Sequence, residues 1–191
     1  MTNFRIVTLP PEEWQPYKQL RLEALLQEPQ SFSTRYEEML QKPDTFWQGR
    51  LVDAQSGETS RLLFARENDA SGLLGRGLLG RGLIGMIGAY CQEGSHTVDI
   101  ISVYVTREKR RQGVAHALMT AILAEVEQQG RFSKALLSVT VGQDAAIALY
   151  QRFGFQIVGE NTGVMGDGLT HTEYIMEKLL EPKASLDKPG L

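Results

Sequence analysis

The chain has 191 residues, which is enough for one domain with a complete hydrophobic core. Its composition, 42% hydrophobic and 23% charged, is that of an ordinary globular protein and excludes a disordered or fibrous chain. A formal net charge of -3 argues against an extended nucleic-acid surface but is compatible with a local basic patch.

The first half of the chain is predicted to begin with a short strand over residues 4–9, which two prolines end. A helix follows over residues 12–27, where apolar side chains recur on one stripe. Two further helices are predicted over residues 34–40 and 44–52, the second with Asp44 as its N-cap. A strand rich in apolar residues is then predicted over residues 61–67.

The second half of the chain alternates strands with two helices. Strands are predicted over residues 82–92, 96–105, 134–141, 154–160 and 172–180. Helices are predicted over residues 113–129, closed by Gly130, and over residues 144–153, with Asp144 as the cap. Together the elements predict a single mixed α/β domain over residues 1–180, followed by a polar tail over residues 181–191. Glycines and an aromatic residue over residues 163–174 suggest a mobile loop above the functional site.

The stretch GRGLLGRGLIG, residues 75–85, contains the pattern G-x-G-x-x-G twice, as Gly75-Gly77-Gly80 and as Gly80-Gly82-Gly85. Asp99 follows Gly80 by 19 positions, close to the place of a ribose-binding carboxylate in a dinucleotide fold. That fold needs a helix after the last glycine, whereas the residues here predict a strand, a turn and another strand. The stretch is therefore interpreted as a hairpin connection, and a dinucleotide oxidoreductase is the weakest hypothesis.

A second glycine-containing segment, VYVTREKRRQGVAHALM, has the order that an anion site requires. A strand ends at Val105, a basic loop follows, and Gly113 opens the strongest predicted helix. The first N–H groups of a helix lack partners and lie at its positive end, so they can bind phosphate. The positive charges of the loop are those of Arg107, Lys109, Arg110 and Arg111. The alternative is a solvated basic loop before an ordinary helix start.

Two motifs resemble those of the GCN5-related N-acetyltransferase (GNAT) family. RRQGVA, residues 110–115, matches the [Q/R]-x-x-G-x-[G/A] loop, and AAIALYQRFGF, residues 145–155, resembles the second motif, A-x-x-L-Y-x-x-x-G-F. The resemblance covers most of the chain from residue 61 to about residue 179. It implies a mostly antiparallel central sheet flanked by helices and splayed between strands 4 and 5. It also implies direct transfer of an acetyl group from acetyl-CoA to a primary amine of a small molecule, peptide or protein.

The resemblance assigns acetyl-CoA to particular residues. The pantetheine arm would lie along Val103, Tyr104 and Val105, and the pyrophosphate would lie on the loop that follows. The cofactor-binding residues implied in this loop and beyond it are Arg110, Arg111, Gln112, Gly113, Val114, Ala115, His116 and Gln143. The chain has Gln143 where the family often has Asn, so this contact depends on a longer amide. The resemblance implies no metal, and the three histidines lack metal-ligand spacing.

Two residues are expected to move protons. Tyr150, placed by the second motif, would protonate the leaving thiolate, because a phenol with a pKa near 10 stays protonated at pH 7. Asp99 would take the proton of the amine, on a strand face that we expect it to share with Ile101, Val103 and Val105. The alternatives are a core role for Tyr150 and a structural role for Asp99. Other carboxylates that could replace Asp99 are Glu23, Glu37 and Glu38.

The remaining expectations concern partners and location. The chain begins without a secretory signal, contains no apolar run long enough to span a membrane, and has one cysteine, Cys91; these features favour a cytoplasmic protein. The acidic residues of the N-terminal helices would suit a cationic acceptor, or would form a solvated helix face. Family members often pair as dimers, so a homodimer is one option. A non-catalytic acyl-CoA-binding module of the same fold is the alternative to an enzyme.

Overall fold

The computed structural model describes residues 3–68 and 82–181. Gly75, Gly77 and Gly80 of the predicted hairpin connection lie outside the described residues. The strands are β1 (Phe4–Val7), β2 (Ser60–Glu67), β3 (Leu83–Tyr90), β4 (Thr97–Val105), β5 (Lys134–Thr140), β6 (Gln156–Val164) and β7 (Thr170–Leu179). The helices are α1 (Trp14–Gln27), α2 (Tyr36–Leu40), α3 (Asp44–Ser56), α4 (Val114–Gln129) and α5 (Asp144–Arg152).

The strands form one sheet of seven in the order β1-β2-β3-β4-β5-β7-β6. Each neighbouring pair is antiparallel except β4 and β5, which run parallel. Parallel neighbours need a long crossover, and α4 supplies it between β4 and β5. The predicted mixed α/β fold with a mostly antiparallel sheet is confirmed. The strand that follows Gly82 is also confirmed, so the residues after the glycine-rich stretch do not form the helix that a dinucleotide site needs.

The sheet has an apolar core on each face. One core lies under α4, whose buried positions include Leu118, Met119 and Ile122 and which packs on β2, β3 and β4. The other lies under α1 and α3 and contains Tyr17, Trp47 and Phe64, whose rings meet edge to face. The central strands are therefore covered on both faces, whereas β6 is largely exposed, so a site among the central strands must use a gap between elements.

That gap lies between β4 and β5. Their ladder joins only Thr97, Val98 and Asp99 to Lys134, Ala135 and Leu136. Both strands continue beyond these pairs, to Val105 and Thr140, without pairing to one another. The splay between strands 4 and 5 is confirmed, and it opens toward the end of β4 that leads into the basic loop.

An irregularity in β4 overturns one expectation. Ser102 has a φ of 58°, and the register of β3 with β4 shifts between Met86 and Gly88. Such a bulge reverses which side chains face each side of the sheet. Before it Val98 and Ile100 enter the core under α4, and after it Val105 does. Asp99 and Ile101 therefore lie on the face opposite to Val103 and Val105, and the expected shared face was wrong.

Two predicted helix caps are displaced by one residue. Pro43 occupies the N-cap of α3 and Gln143 that of α5, so Asp44 and Asp144 are the first helical residues. Both carboxylates still lie where the positive helix end stabilises them, and Asp44 also pairs with Lys18 at 3.2 Å. The closing position of α4 is confirmed, because Gly130 caps it with a φ of 67°.

The expected mobile loop over residues 163–174 is instead the end of a β-hairpin. Most of these residues belong to β6 and β7, which pair through Val164 and Thr170. The hairpin tip packs against the segment after α1: the N–H of Gly166 donates to the carbonyl of Phe32 at 2.7 Å. Met165 in the same tip is buried. The interpretation as a free loop was therefore wrong, since strand pairing and this contact hold the hairpin in place.

Candidate active site

The loop between β4 and α4 forms a cradle of free N–H groups. Arg111 and Gly113 both have left-handed backbone conformations, with φ of 62° and 82°. Alternation of this kind turns successive N–H groups to one side and produces an anion-binding concavity. In the part of the chain that the structure describes, the N–H groups of residues 111–116 make no hydrogen bond. A Cβ placed on Gly113 would meet no atom within 4 Å, so the space before the cradle is open.

The basic side chains around the cradle are not equally free. Arg110 donates from Nη2 to Oε1 of Glu28 at 2.8 Å and from Nε to the carbonyl of Val105 at 3.1 Å. Arg107 also reaches Oε1 of Glu28, at 3.5 Å. Burial of Glu28 opposes its ionisation, but hydrogen bonds from Arg110 and Gln30 and the two arginine charges outweigh burial and lower the pKa of Glu28. Two of the cradle's cations thus share one carboxylate.

The other predicted loop residues have simpler surroundings. Gln112 donates to the carbonyl of Glu108 at 2.9 Å, so its side chain holds the loop itself. The ring of His116 lies 4.9 Å from that of Phe153, which packs the first turn of α4 against the end of α5. His116 can therefore contribute its backbone N–H to the cradle, while its ring contacts α5. Val114 is buried beneath the cradle.

The end of β4 offers backbone groups toward the splay and one polar side chain toward α1. Beyond Asp99 the edge of β4 that faces β5 has no strand partner. On the α1 side, the hydroxyl of Tyr104 donates to Oε1 of Glu23 at 2.8 Å. Burial, and then the bond to Glu23, raise the pKa of Tyr104. Glu23 is thereby directed at β4, whereas Glu37 and Glu38 are exposed on α2.

Tyr150 lies in the core under α4 and is 6% exposed. Its ring meets that of Phe155 at a centroid distance of 6.3 Å. Burial raises its pKa to about 12. Within the described ranges, no residue forms a hydrogen bond with its hydroxyl. The hydroxyl therefore stays protonated at neutral pH and has no hydrogen-bond partner to give up in the described residues.

Asp99 stands in the last pair of the β4–β5 ladder, opposite Leu136, at the point where the strands begin to diverge. It is half-buried, and burial raises its pKa. A carboxyl with a raised pKa is a stronger base than one in water. Asp99 lies on the sheet face that α1 and α3 cover, while Tyr150 lies in the core on the other face.

Gln143 does not extend free into the splay. Its amide Nε2 donates to the hydroxyl of Ser31, in the segment that follows α1. This segment, residues 28–32, is named the strap here. Sequence reasoning missed it because side-chain contacts that hold it join residues 82 to 112 positions apart. Pro29, which marks the turn after α1, was the signal that a defined turn lay here.

A splayed parallel pair followed by an N–H cradle at a helix start is the arrangement of an acyl-CoA-binding α/β domain. The model of the Acetyltransferase (GNAT) family matches residues 14–155, and the chain belongs to this family. N-acetyltransferase family 8 member 3 of Mus musculus is 38% identical over 63 residues. This match covers 33% of the chain and only 27% of the relative's length.

Solved structures share the fold across nearly the whole chain. The acetyltransferase of GNAT family from Streptococcus pneumoniae superposes with a TM-score of 0.76 and 17% identity, covering 93% of this chain and 99% of that one. The putative acetyltransferase yncA from Salmonella typhimurium, solved with its cofactor acetyl-CoA, has a TM-score of 0.72 and 16% identity, covering 97% and 98%. At such identities the likeness concerns the fold alone.

Residues 3–68 and 82–181 contain neither a membrane-spanning helix nor a cluster of metal ligands. No helix in these ranges combines the length and apolar character needed to cross a membrane. No group of three or more His, Cys, Asp or Glu side chains there is arranged to hold a metal ion.

Proposed function

We propose that the protein is an N-acetyltransferase that moves the acetyl group of acetyl-CoA directly to a primary amine. The observation that carries this proposal is the splay between β4 and β5 together with the free N–H cradle that follows β4. Membership of the GNAT family supports it, as does the description of the Salmonella typhimurium structure with acetyl-CoA.

The cradle suits the diphosphate of acetyl-CoA. Backbone N–H groups at the positive end of a 16-residue helix favour a doubly charged anion, and Gly113 leaves room for its approach. The side chain of Arg111 is exposed beside these groups and adds charge. The pantetheine arm would hydrogen-bond to the unpaired edge of Val103 to Val105, as an added strand does.

The transfer itself needs one base and one acid. The amine nitrogen attacks the thioester carbonyl carbon, and its proton passes to the Asp99 carboxylate, directly or through one water. The carbon–sulfur bond then breaks, and the departing thiolate takes the hydroxyl proton of Tyr150. With a pKa of about 12, Tyr150 is almost wholly protonated at neutral pH. Glu23, held by Tyr104, is the alternative base.

The acceptor is proposed only as a class. Of the N-terminal acids, Glu28 pairs with arginines, Glu38 pairs with Lys42 and Glu37 is exposed on α2, which leaves Glu23 as the carboxylate directed at the sheet. An amine of a small molecule, peptide or protein fits this arrangement. The proposal includes a cytoplasmic location, supported by the single free thiol of Cys91, and a homodimer as an option through the exposed edge strand β6.

The first test is a thermal melt with acetyl-CoA and, separately, with NADH. A ligand at about 100 times its dissociation constant adds roughly 2.7 kcal/mol, which is several degrees for a chain of this size. We expect a shift with acetyl-CoA alone, followed by release of free thiol when a panel of amines is added. A shift with NADH and none with acetyl-CoA would refute the proposal.

Gly113→Glu tests the cradle, and Gly94→Glu is its matched control. Both glycines have left-handed backbones, with φ of 82° and 74°, and a Cβ on either would meet open space. The two substitutions therefore carry a similar backbone penalty, but only Gly113→Glu places a carboxylate at the cradle. We expect it alone to abolish the acetyl-CoA shift. Equal losses in both variants would contradict the assignment.

A further inference from the structure

The strap crosses the open end of the splay and is held from the β4 side at its first residue. Glu28 accepts hydrogen bonds from Arg110 and Gln30, at 2.8 and 2.9 Å. Its side chain is only 19% exposed, whereas the Arg110 side chain is 42% exposed. Arg110 in turn binds the carbonyl of Val105, the last residue of β4. This end of the strap is therefore fixed to the strand along which pantetheine would lie.

The other end of the strap is held from the β5 side. The buried hydroxyl of Thr140, at the end of β5, donates to the carbonyl of Gln30 at 2.8 Å. Gln143, three residues further on, donates to the Ser31 hydroxyl. The hairpin tip adds the bond from Gly166 to Phe32. Three separate elements thus converge on five residues.

These contacts matter because the two strands share no ladder beyond Asp99 and Leu136. The strap connects their free ends on the sheet face that α1 covers, which is the face of Asp99. It therefore forms a wall beside the place where amine and thioester must meet. A shift of about 1 Å in a segment that positions the substrates can lower the reaction rate substantially.

We propose that Gln143 is a positioning residue for the acceptor side, acting through Ser31 on the strap, and not a cofactor ligand; this rests on the proposed function. The length of the glutamine side chain fits this role, because an asparagine at position 143 would be one methylene too short to reach the Ser31 hydroxyl. The sequence-based assignment of Gln143 to acetyl-CoA is replaced by a role in holding the wall. Loss of the contact would weaken acceptor binding and leave acetyl-CoA binding unchanged.

The experiment is a double-mutant cycle with Gln143→Ala, Ser31→Ala and the double variant. Acetyl-CoA affinity is measured by calorimetry, and kcat and KM by thiol release with the best of spermidine, L-lysine amide and Met-Ala-Ala amide. We expect each single variant to raise the amine KM about fivefold, the effect of one lost hydrogen bond, with acetyl-CoA affinity within about twofold of wild type. The double variant should resemble either single variant, because both remove the same contact.

Gln143→Asn distinguishes a residue that holds the strap from one that binds acetyl-CoA. It keeps an amide at the position but falls short of Ser31, so we expect the same rise in KM as for alanine. A cofactor ligand would behave otherwise: alanine at position 143 would weaken acetyl-CoA binding, asparagine would preserve it, and Ser31→Ala would do neither. This cofactor-ligand pattern would overturn the proposal. So would single-variant effects on KM that add up in the double variant, or an amine KM that neither single variant changes.

A second measurement does not depend on any amine. Hydrogen exchange of the strap and of the Gly166 amide is followed in the acetyl-CoA complex, where Gln143→Ala and Ser31→Ala should both accelerate exchange by a similar factor. Unchanged exchange in the strap would also refute the proposal. Failure of the proposed function is distinct, because wild-type protein would then neither bind acetyl-CoA nor release thiol.

Discussion

Gly85 is predicted to be a packing glycine, and Gly85→Ala is the change that tests it. Gly85 lies in β3 opposite Val105, beneath the first turns of α4. A Cβ there would stand 2.9 Å from the carbonyl oxygen of Tyr104, 3.1 Å from Leu118 and 3.2 Å from Val114. The nearest atom is backbone and cannot rotate away. Either β4 or the start of α4 must therefore move.

The expected magnitude follows from these distances. Overpacking a well-filled core costs about 1–3 kcal/mol. For a domain of this size each kcal/mol lowers Tm by roughly 2–4 °C, so a penalty of about 2 kcal/mol gives a fall of roughly 4–8 °C. Because the displaced parts are the end of β4 and the first turn of α4, acetyl-CoA affinity should also fall, by about fivefold for each kcal/mol transmitted to the cradle.

Urea denaturation and thermal melts measure the first effect, and calorimetry with acetyl-CoA measures the second. The control is Gly49→Ala, in the interior of α3, where a Cβ would meet no atom within 4 Å. Alanine there should stabilise by about 0.5–1 kcal/mol, since it restricts the unfolded chain and favours helix. If Gly85→Ala unfolded at or above the wild-type midpoint, the packing argument would be refuted.

Three further predictions concern protons and charge. Tyr150→Phe should lower kcat by about 100-fold, because it removes the proposed proton donor. The Tm should change little, because the hydroxyl has no hydrogen-bond partner to lose in the described residues. A changed Tm with an unchanged kcat would assign the residue to packing. Asp99→Asn should lower kcat/KM by about 100-fold and remove the acidic limb of the pH profile of kcat/KM. In wild type this limb should lie above the usual aspartate range, because burial raises the pKa of Asp99. A limb that persists in the variant would transfer the base role to Glu23. Glu28→Gln should destabilise the protein at pH 7, and the loss should shrink as the pH falls below the usual glutamate range, because a lowered pKa gives stability that is present above the unfolded value and is lost as pH falls through the folded one. Urea midpoints measured at several pH values would reveal a pH-independent loss as the contrary result.

Much of the fold could be predicted because local signals and the tertiary structure agree. The apolar recurrence in α4, with Val114, Leu118, Ile122 and Val126 all buried, made its helix evident. The loop that precedes it carried its own signal, since Gly113 takes a φ of 82° that a residue with a side chain seldom adopts. Where sequence periodicity, glycine placement and charge indicated the same element, the structure has that element.

The parts that could not be predicted depend on residues far apart in the chain or on an unmarked backbone conformation. Ser102 adopts a φ of 58° without being glycine, so nothing in the strand pattern signalled the bulge that turns Asp99 away from Val103. The strap depends on Thr140 and Gln143, whose partners lie 110 and 112 positions away. Periodicity describes one element at a time and carries no information about such pairs.

The bulge in β4 gives the odd-numbered residues of this strand different neighbours on the two sides of Ser102. Asp99 and Ile101 lie on the face that α1 covers, whereas Val103 and Val105 lie on the face of α4 together with Val98 and Ile100, so a substitution at Ile101 alters the surroundings of Asp99 without touching the core that seats α4. A substitution at Val105 does the reverse. Under the proposed function, a library at Ile101 and the strap would therefore vary the acceptor side, while the core under α4, to which Val98 and Ile100 belong, stays unchanged.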